Sequence, residues 1–468
     1  MYSVCMQQSA AGTKGVNGTS VGRRRFLATT ASISAGSIVG LSSVGTVRAS
    51  GNELWSFQTD DLVTGSPTVV DGTVYVGSSD HNVYAVDTTS GDEVWSFETG
   101  DIVWSSPNVV DGRVCVGSGD HNVYALEAAT GEEVWSFETG DSVGSSPSVF
   151  DGVVYVTSQD GNAYALDSTT GDEDWSFETD SWFSDAPVVV DETVFVASND
   201  HTLYALDTTT GDENWSFELE SGIPSTPTVV GETVYFGFFD HVYAADVTAG
   251  EELWSFQIDG PLDSSPTVAD GTVYVGSTDA NVYALDASDG SKRWSFETGR
   301  WIYSSPTVAD GTVFIGSHDR HLYALDATDG AEVWSFETGG QVDSSPTVAD
   351  GVLYVGSRDG NVYALDAGVS GSSECSRVAQ GSLGHHDEWA SVAATAETET
   401  DSDGSDERTP SGDDTDDGET AGSDRDGNGV TDDSEPDDGL PGFGIGSAFA
   451  GLGGAAYMMR RRFNNESE

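Results

Sequence analysis

The side chains best suited to bind a ligand stand three residues ahead of a proline that recurs at regular intervals. At this place the sequence varies, and the residues are Thr64, Trp104, Gly144, Ser184, Pro224, Asp263, Tyr303 and Asp343. Trp182, Phe183, Arg300 and Trp301 lie close by in the sequence. Aromatic rings beside two carboxylates and a rare arginine are typical of a small-molecule or peptide site. The alternative is that the rings fill the centre of the structure without binding anything.

A second set of ionisable residues occupies another repeated position. An aspartate occurs once in every repeat, at Asp80, Asp120, Asp160, Asp200, Asp240, Asp279, Asp319 and Asp359. Histidines follow four of these aspartates, at His81, His121, His201 and His241, and two more, His318 and His321, flank a fifth. Histidine can bind metal ions, but the four equivalent histidines belong to different repeats and are too distant to share one ion. We therefore interpret both sets as residues that shape turns.

A third candidate site lies near the C-terminus. Six residues match the spacing of an EF-hand calcium loop, namely Asp424, Asp426, Asn428, Gly429, Asp432 and Glu435. No amphipathic helix precedes them, and Pro436 prevents a helix from following. The pattern is compatible with an isolated calcium-binding loop and with a chance match in an acidic linker.

An internal repeat carries the first two sets. The tripeptide Trp-Ser-Phe recurs in steps of 40 residues with a single step of 39, and it starts at Trp55, Trp95, Trp135, Trp175, Trp215, Trp254, Trp294 and Trp334. The first repeat contains four segments rich in Val, Tyr, Trp and Phe, at Ser66–Val70, Thr73–Ser78, Asn82–Asp87 and Glu93–Glu98. Four short strands at this period predict a propeller blade. The expected fold is all-β, an eight-bladed β-propeller of four-stranded blades.

The order of the motifs predicts how the ring closes. The first Trp-Ser-Phe precedes the first repeat proline, and no such tripeptide follows Tyr363. We therefore expect the N-terminal segment Glu53–Gln58 to form the outer strand of the last blade, which removes two open sheet edges. Antiparallel strand order places the variable connectors and the aspartate loops on one face, around the mouth of the central channel.

The repeat resembles the PQQ-like repeat. The resemblance rests on Tyr84-Ala85-Val86-Asp87 followed by Gly91-Asp92-Glu93-Val94-Trp95, and it recurs over about residues 53–367. It implies that the glycine and the tryptophan lock neighbouring blades together. We expect the eight tryptophans to be structural, and losing one to cost ~3–5 kcal/mol.

The same resemblance implies two alternative functions. Quinoprotein dehydrogenases use such a ring to hold PQQ and calcium, with longer blades and often an adjacent Cys-Cys pair, whereas BamB-type lipoproteins are non-catalytic propellers that dock partners. This chain has short blades and no adjacent cysteines, so we favour a binding or scaffold protein with no cofactor and a protein or small-molecule ligand at the mouth. In the alternative, a PQQ- and calcium-dependent dehydrogenase, Asp185, Asp263 and Asp343 would act as base or ligands.

The charge of the chain narrows the possible partners. The sequence has 17 Lys and Arg against 79 Asp and Glu, a net charge of −62. This excludes a nucleic-acid partner, because phosphate binding requires clustered cations. The composition resembles that of salt-in halophilic archaea, whose proteins rely on concentrated salt to screen the repulsion; a specific cation-binding role is the alternative. The three cysteines, Cys5, Cys115 and Cys375, form no disulfide or metal pattern.

Both ends of the chain resemble targeting signals. Residues 1–49 contain Arg23 and Arg24, then a small-residue stretch, and resemble a twin-arginine export signal. Residues 50–368 are the predicted propeller, and residues 369–440 a disordered acidic stalk. Residues 441–468 begin with Pro441, Gly442 and Phe443 and resemble the PGF-type sorting signals that an archaeosortase replaces by a lipid. A retained membrane helix is the alternative, and both interpretations predict an exported protein anchored at the cell surface by its C-terminus.

Overall fold

A computed structural model describes residues 51–183, 185–219 and 225–373 of the chain. Every element in these residues is a β-strand, which confirms the all-β class, and no described segment forms a helix able to span a bilayer. The predicted export signal and sorting tail, with most of the stalk, lie outside the described residues. So do Arg23, Arg24, Ser184, Pro224, Asp424, Asp426, Asn428, Asp432, Glu435, Pro441, Gly442 and Phe443.

Four-stranded sheets follow one another along the chain as blades 1 to 8. The first strand, β1 (Glu53–Gln58), precedes blade 1. Blade 1 contains β2 (Thr68–Val70), β3 (Thr73–Gly77), β4 (Asn82–Asp87) and β5 (Glu93–Glu98). Blade 2 contains β6 (Asn108–Val110), β7 (Arg113–Gly117), β8 (Asn122–Glu127) and β9 (Glu133–Glu138). Blade 3 contains β10 (Ser148–Phe150), β11 (Val153–Thr157), β12 (Asn162–Asp167) and β13 (Glu173–Glu178). Blade 4 contains β14 (Val188–Val190), β15 (Thr193–Ser198), β16 (Thr202–Asp207) and β17 (Glu213–Glu218).

The second half of the ring repeats this pattern. Blade 5 contains β18 (Thr228–Val230), β19 (Thr233–Phe238), β20 (His241–Asp246) and β21 (Glu252–Gln257). Blade 6 contains β22 (Thr267–Ala269), β23 (Thr272–Gly276), β24 (Asn281–Asp286) and β25 (Lys292–Glu297). Blade 7 contains β26 (Thr307–Ala309), β27 (Thr312–Gly316), β28 (His321–Asp326) and β29 (Glu332–Glu337). Blade 8 contains β30 (Thr347–Ala349), β31 (Val352–Gly356) and β32 (Asn361–Asp366), together with β1.

Turn chemistry shapes the first hairpin of blade 1, and the same Asp-Gly pair recurs in blades 2, 3, 6, 7 and 8. Asp71 and Gly72 both have positive φ, 49° and 78°, which is the conformation of a type I′ turn between antiparallel strands. Thr68 then pairs with Tyr75 across β2 and β3. Asp71 and Gly72 therefore form the hairpin turn of blade 1, where glycine adopts the positive φ without steric cost.

The hydrophobic core lies between blades rather than within one blade. Val69 and Val74 of blade 1, for example, pack in one cluster with Tyr354 and Val362 of blade 8. Each blade thus buries its faces only against its two neighbours, as in other repeat proteins. Cys115 belongs to such a cluster between blades 2 and 3, where burial raises the pKa of its thiol to about 12.

The ring closes through the N-terminal strand, as predicted. Strand β1 is the outer strand of blade 8 and pairs with β32, with Trp55 opposite Ala364. The shared segment begins earlier than the sequence indicated, because the Gly51 amide also donates to the carbonyl of Asp366 at 2.8 Å. Gly51 has a φ of 76° and so takes the place that Gly91 has in blade 1.

The repeat tryptophans join each blade to the next, as the resemblance implied. The Trp95 indole N–H donates to the carbonyl of Ala128 in blade 2 at 2.9 Å. A Cβ added to Gly131 would lie only 2.6 Å from the Trp95 ring, so only glycine fits beneath the indole. The last contact of this kind places Trp334 of blade 7 against Gly51, so the N-terminal segment completes two of the eight contacts between blades.

Candidate ligand-binding site at the channel mouth

The ring has two faces with different loops. The mouth face carries the connectors between blades and the loop between the second and third strands of each blade, and the turn face carries the Asp-Gly hairpins. A backbone hydrogen bond joins the two loop sets on the mouth face, from the His318 amide to the carbonyl of Trp301 at 2.9 Å in blade 7. The same bond recurs in other blades, for example from the Ser79 amide to the carbonyl of Leu62 at 2.8 Å. The variable side chains are therefore attached to a backbone of similar conformation in these blades.

The repeated loop aspartates shape turns and tie blades together. Asp120 accepts hydrogen bonds from the Asn122 amide at 3.0 Å, from the Tyr124 hydroxyl at 2.7 Å and from the Gly100 amide of the preceding blade's connector at 2.6 Å. Burial alone would raise the pKa of Asp120, but these donors hold it below its usual range. The aspartates are therefore structural, as predicted.

Blade 5 departs from this pattern, and Asp240 is not equivalent to the other loop aspartates. The single 39-residue step shortens this loop, so Phe239 takes the positive-φ position at 47°. Asp240 instead contacts His241 at 2.7 Å and Gln257 at 3.0 Å. His241 begins strand β20, whereas His81, His121 and His201 occupy positive-φ turn positions, at 77°, 77° and 75°. The predicted equivalence of four histidines is therefore wrong for His241.

The connector residue Asp343 is the centre of a charged cluster in blades 7 and 8. One carboxylate oxygen contacts Nε2 of His318, from the loop of blade 7, and the other accepts from Nε of Arg358, from the loop of blade 8, at 2.5 Å. The His318 and Asp343 side chains are 8% and 13% exposed. Burial alone would raise the pKa of Asp343, but the His318 hydrogen bond and the Arg358 charge outweigh it and hold the pKa below its usual range.

Aromatic rings pack beside His318 of this cluster. The Tyr303 and His318 rings lie 4.5 Å apart between centroids, and Trp301 lies 6.3 Å from His318. Trp301 is 46% exposed, which is unusual for so large an apolar ring. Burial, followed by the nearby carboxylates of Asp263 and Asp343, raises the pKa of Tyr303 to about 12. The phenol is therefore a neutral hydrogen-bond donor at ordinary pH.

Asp263 occupies the equivalent connector position of blade 6, and among the described residues no cation lowers its pKa. Desolvation by the surrounding protein, followed by repulsion from Asp185, raises its pKa to about 6, even though its side chain is exposed at the mouth. Asp185, in the connector before blade 4, accepts a hydrogen bond from the Thr226 hydroxyl at 3.3 Å. The two equivalent carboxylates at 263 and 343 have opposite pKa shifts because, among the described residues, the His318 hydrogen bond and the Arg358 charge lower the pKa of Asp343 and no such group lowers that of Asp263.

The remaining predicted mouth residues lie in other parts of the ring. Trp104, before blade 2, is half-buried, and its ring lies 3.8 Å from the position of a Cβ on Gly144. The Trp182 carbonyl, before blade 4, accepts from the Asn199 side-chain amide at 2.9 Å. The Arg300 side chain is exposed beside Trp301. Among the described residues, neither Trp104 nor Trp182 contacts the charged cluster.

Phe183 does not line the mouth, which corrects the prediction from sequence. It is 1% exposed and packs in the core between blades 3 and 4. The repeat contains the signal for this, because the equivalent positions are all apolar, namely Val63, Val103, Val143, Leu262, Ile302 and Val342. A position that is apolar in every blade belongs to the core and not to a variable surface.

Arg358 is the mouth residue that the sequence prediction missed, together with the role of His318. Both stand directly before a repeated loop aspartate, Asp359 and Asp319. The same position holds Ser79, Gly119, Gln159, Asn199 and Thr278 in other blades. Its variability is as great as that of the connector position, so comparing the repeats at this column would have identified both residues.

A PQQ and calcium site would require free carboxylates that converge at the mouth. Both carboxylate oxygens of Asp343 are engaged by His318 and Arg358. Within the described ranges no three His, Cys, Asp or Glu side chains lie close enough to share a metal ion. The residues present do not fit that cofactor, and we derive no catalytic step through it.

Comparison with known proteins supports the fold and leaves the function open to proposal. A family model described as "Beta-alanine-activating enzyme, beta-propeller" matches residues 85–310. No curated protein sequence matches the chain. Among solved structures, BamB from Moraxella catarrhalis is similar with a TM-score of 0.61 and 21% identity, over 68% of this chain and 99% of that one.

Two further structures share the fold. The computationally designed protein Ika8 has a TM-score of 0.62 and 19% identity, over 67% of this chain and 99% of that one. The quinohemoprotein alcohol dehydrogenase from Comamonas testosteroni has a TM-score of 0.58 and 18% identity, over 68% of this chain and 77% of that one. The chain is thus an eight-bladed β-propeller whose fold is shared by a designed protein, an enzyme and BamB, so function must be argued from its own residues.

Proposed function

We propose that this protein is a non-catalytic binding or scaffold propeller, exported and held at the cell surface, which binds its ligand at the mouth face. The observation that carries the proposal is the departure from the repeat in blades 7 and 8. Among the described residues, His318, Asp343 and Arg358 of blades 7 and 8 form a cluster next to an exposed tryptophan, Trp301. Buried charges are costly unless they are paired, and at a variable surface they favour a binding role over packing.

Two further observations support the proposal. The fold is shared with BamB, which the repeat resembles and which is consistent with a scaffold role. The sequence signals around Arg23 and Arg24 and around Pro441 to Phe443 favour export and anchoring. A surface-anchored propeller would present a rigid ring on the acidic stalk, and the mouth offers aromatic and charged groups to a protein or small molecule.

A binding screen with matched variants tests the proposal. The full chain, in concentrated KCl, is screened against immobilised peptide and oligosaccharide libraries, and each bound probe is titrated against Trp301→Ala, Arg358→Ala and Leu253→Ala. Leu253 is a matched exposed apolar control on the outer strand β21, at 54% exposure. We expect at least tenfold weaker binding for the two mouth variants and no change for Leu253→Ala. Equal binding by all three variants would place the function elsewhere.

The dehydrogenase alternative has its own measurement. PQQ and calcium are added to the full chain, and PQQ absorbance and reduction of an electron-accepting dye are followed with an alcohol as substrate. Our proposal expects neither saturable PQQ binding nor dye reduction. Dye reduction that is lost in Asp263→Asn would replace the scaffold proposal by the enzyme.

A further inference from the structure

The chain does not leave the ring at the end of its last strand. Residues 369–373, which we predicted to begin the stalk, pack between blades 7 and 8 at the turn face, in what we call the occupied groove. Val369 packs against the apolar cluster between these blades, which contains Ala309 and Phe314. Ser373 is buried against β30. The ring thus binds a short peptide segment here, and the chain itself supplies it.

The hairpin of blade 7 holds this segment through one carboxylate. The Asp310 carboxylate accepts hydrogen bonds from the Ser370 amide at 2.9 Å and from the Gly371 amide at 3.0 Å. These donors, of which the Ser370 amide contributes most, hold the pKa of Asp310 below its usual range. A turn aspartate therefore serves as the anchor for two successive amides of a peptide.

Blade 8 holds the segment through its backbone. The Gly351 amide donates to the Gly371 carbonyl at 2.9 Å, and the Ser373 amide donates to the Val348 carbonyl at 2.8 Å. The Val348 amide in turn donates to the Ser373 hydroxyl at 2.9 Å. These bonds use the free edge of β30, which is the end strand of its sheet. The segment thus adds to a strand edge, as peptides do in β-augmentation.

The equivalent groove lies between blades 8 and 1, and no described segment occupies it. We call it the open groove. It has a volume of about 520 Å³ and is lined by residues that include Trp55, Val69, Ala349 and Tyr354. Sites for small ligands have volumes of this order, so the open groove can take a few residues of a peptide.

The groups that hold the segment have equivalents in the open groove. The Asp350 carboxylate takes the place of the anchor, and it accepts no hydrogen bond from a described residue. Val69 pairs with Val74 as Val348 pairs with Leu353. Because alternate residues of an antiparallel strand direct their N–H and C=O away from the partner strand, Val69 presents the same free edge as Val348.

The residue before each hairpin turn distinguishes the grooves by size. It is small in blades 6 to 8, namely Ala269, Ala309 and Ala349, and larger in blades 1 to 5, namely Val70, Val110, Phe150, Val190 and Val230. In the occupied groove the alanine is fully buried beneath the segment. An alanine at this position therefore leaves room for an apolar side chain of the size of valine.

The groove between blades 6 and 7 also contains an alanine, but its rim is charged. Arg293, on the outer strand of blade 6, contacts the Thr272 hydroxyl there. In the open groove the equivalent residues are Leu54 and Val352, and both line the cavity. Leu54 is 54% exposed, which is unusual for a large apolar side chain with no function. The open groove therefore combines a small floor with an apolar rim.

We propose that the open groove binds a short segment of a partner protein, in which one branched apolar residue is followed by serine and glycine. Its apolar side chain lies against Ala349 and Tyr354, and its backbone pairs with the Asp350 carboxylate and the edge of β2. The segment lacks acidic residues, because Asp71 and Asp350 flank the groove. This site is on the turn face, so it is independent of ligand binding at the mouth.

Photo-cross-linking of a synthetic peptide to the full chain tests the proposal. The probe has the sequence of residues 367–373, AGVSGSS, with photo-leucine in place of its valine. It is irradiated with the protein in concentrated KCl, and the products are mapped by mass spectrometry, which detects weak binding because the link is covalent. We expect links to the fragments that contain Leu54, Ala349 and Tyr354.

A matched pair of variants tests the floor of the groove. Ala349→Val introduces the side chain that blade 1 has at Val70, and we expect at least tenfold less cross-linked product. Ala269→Val makes the same change between blades 6 and 7 and should leave the yield unchanged. Valine occupies this position in blades 1, 2, 4 and 5, so both variants should fold, and thermal unfolding checks this.

A second pair tests the carboxylate anchor. Asp350→Gly removes the acceptor and is compatible with the positive φ of 50° at this position, and Asp270→Gly is the control in blade 6, where φ is 46°. We expect at least threefold less product for Asp350→Gly alone. The absence of any cross-link, or equal yields from Ala349→Val and Ala269→Val, would overturn the proposal. Links to blade 7 would also overturn it, because the probe would then have displaced residues 369–373.

Discussion

The same eight repeats form both the contacts between blades and the loops at the channel mouth. The contacts keep the same residues in every repeat, whereas the mouth loops differ from repeat to repeat. Every contact between blades repeats one arrangement, in which an indole N–H donates across to the next blade, at 2.9 Å for Trp175 and 3.0 Å for Trp294. At the mouth, equivalent backbone positions hold different side chains, and in blades 7 and 8 His318 and Arg358 converge on Asp343. Identical positions therefore supply stability through nearest neighbours, and divergent positions supply a specific surface.

The largest effect should follow removal of the segment that closes the ring. Deleting residues 51–58 removes β1, the Trp55 contact and the Gly51 position against which Trp334 packs. Two lost contacts at about 3–5 kcal/mol each amount to much of the 5–15 kcal/mol by which a domain is usually stable. We expect the cooperative unfolding transition, followed by circular dichroism in concentrated salt, to disappear. Deleting residues 1–49 is the control and should leave the transition unchanged; a similar transition in both proteins would refute closure by β1.

Loss of a single contact between blades should lower the free energy of unfolding by less than the deletion does, but still substantially. Trp175→Ala empties a site that is 8% exposed and removes the hydrogen bond to the Thr208 carbonyl. We expect a loss of ~3–5 kcal/mol in the free energy of unfolding, measured by denaturant titration. The exposed control Leu253→Ala should change it by less than about 0.5 kcal/mol.

The Trp334→Ala variant tests whether the contact of Trp334 with Gly51, which helps to close the ring, contributes as much stability as the other contacts between blades. Its indole hydrogen bond, to the Ala367 carbonyl, is 3.3 Å long, and its glycine comes from the other end of the chain. We expect a loss no larger than that of Trp175→Ala. A much larger loss would mean that closure adds cooperativity beyond the nearest-neighbour contacts.

The charged cluster at the mouth should give a smaller loss that depends on pairing. Asp343→Asn leaves His318 and Arg358 without their common partner, and we expect about 2–3 kcal/mol of destabilisation because unpaired buried polar groups are costly. Adding Arg358→Gln to this variant should cost less than the sum of the two single changes, because the residues share one interaction. Strict additivity in denaturant titrations would show that the three groups do not act as a unit.

The sequence predicted the parts of this molecule that repeat and not the parts that break the repeat. The blade count, the closing strand and the tryptophan contacts follow from motifs that recur eight times, so each is supported by its seven equivalents. Phe183 was misplaced because a single repeat does not distinguish a buried aromatic from an exposed one. Arg358 was missed although it lies in the same blade as Asp343, because the variability of the position directly before each loop aspartate was not compared across the repeats. The loop before His241 is one residue shorter than in the other blades. Phe239 therefore takes the positive-φ turn position that a histidine has at His81, His121 and His201.

The smallest expected effect is on the pH dependence of folding stability, to which the two equivalent connector aspartates should contribute with opposite signs. The pKa of Asp263 is raised to about 6 in the folded protein, against about 3.9 for an unperturbed aspartate. The folded state therefore binds this proton more tightly, and stability falls as pH rises from about 4 to 6. Asp343 has a lowered pKa, so its contribution is present above about pH 4 and is lost only as pH falls below that.

Asp263→Asn isolates this effect, because it removes the ionisable group and keeps the shape of the side chain. We expect the variant to match the wild type near pH 4 and to melt at a higher temperature than the wild type at pH 7. The difference should be small, because solvent reaches the side chain and concentrated salt screens its charge. The Asp343→Asn variant should show the opposite sign at pH 7. If Asp263→Asn lowered the melting temperature at pH 7, Asp263 would have a compensating cation at the mouth, and the contrast between the two aspartates would not hold.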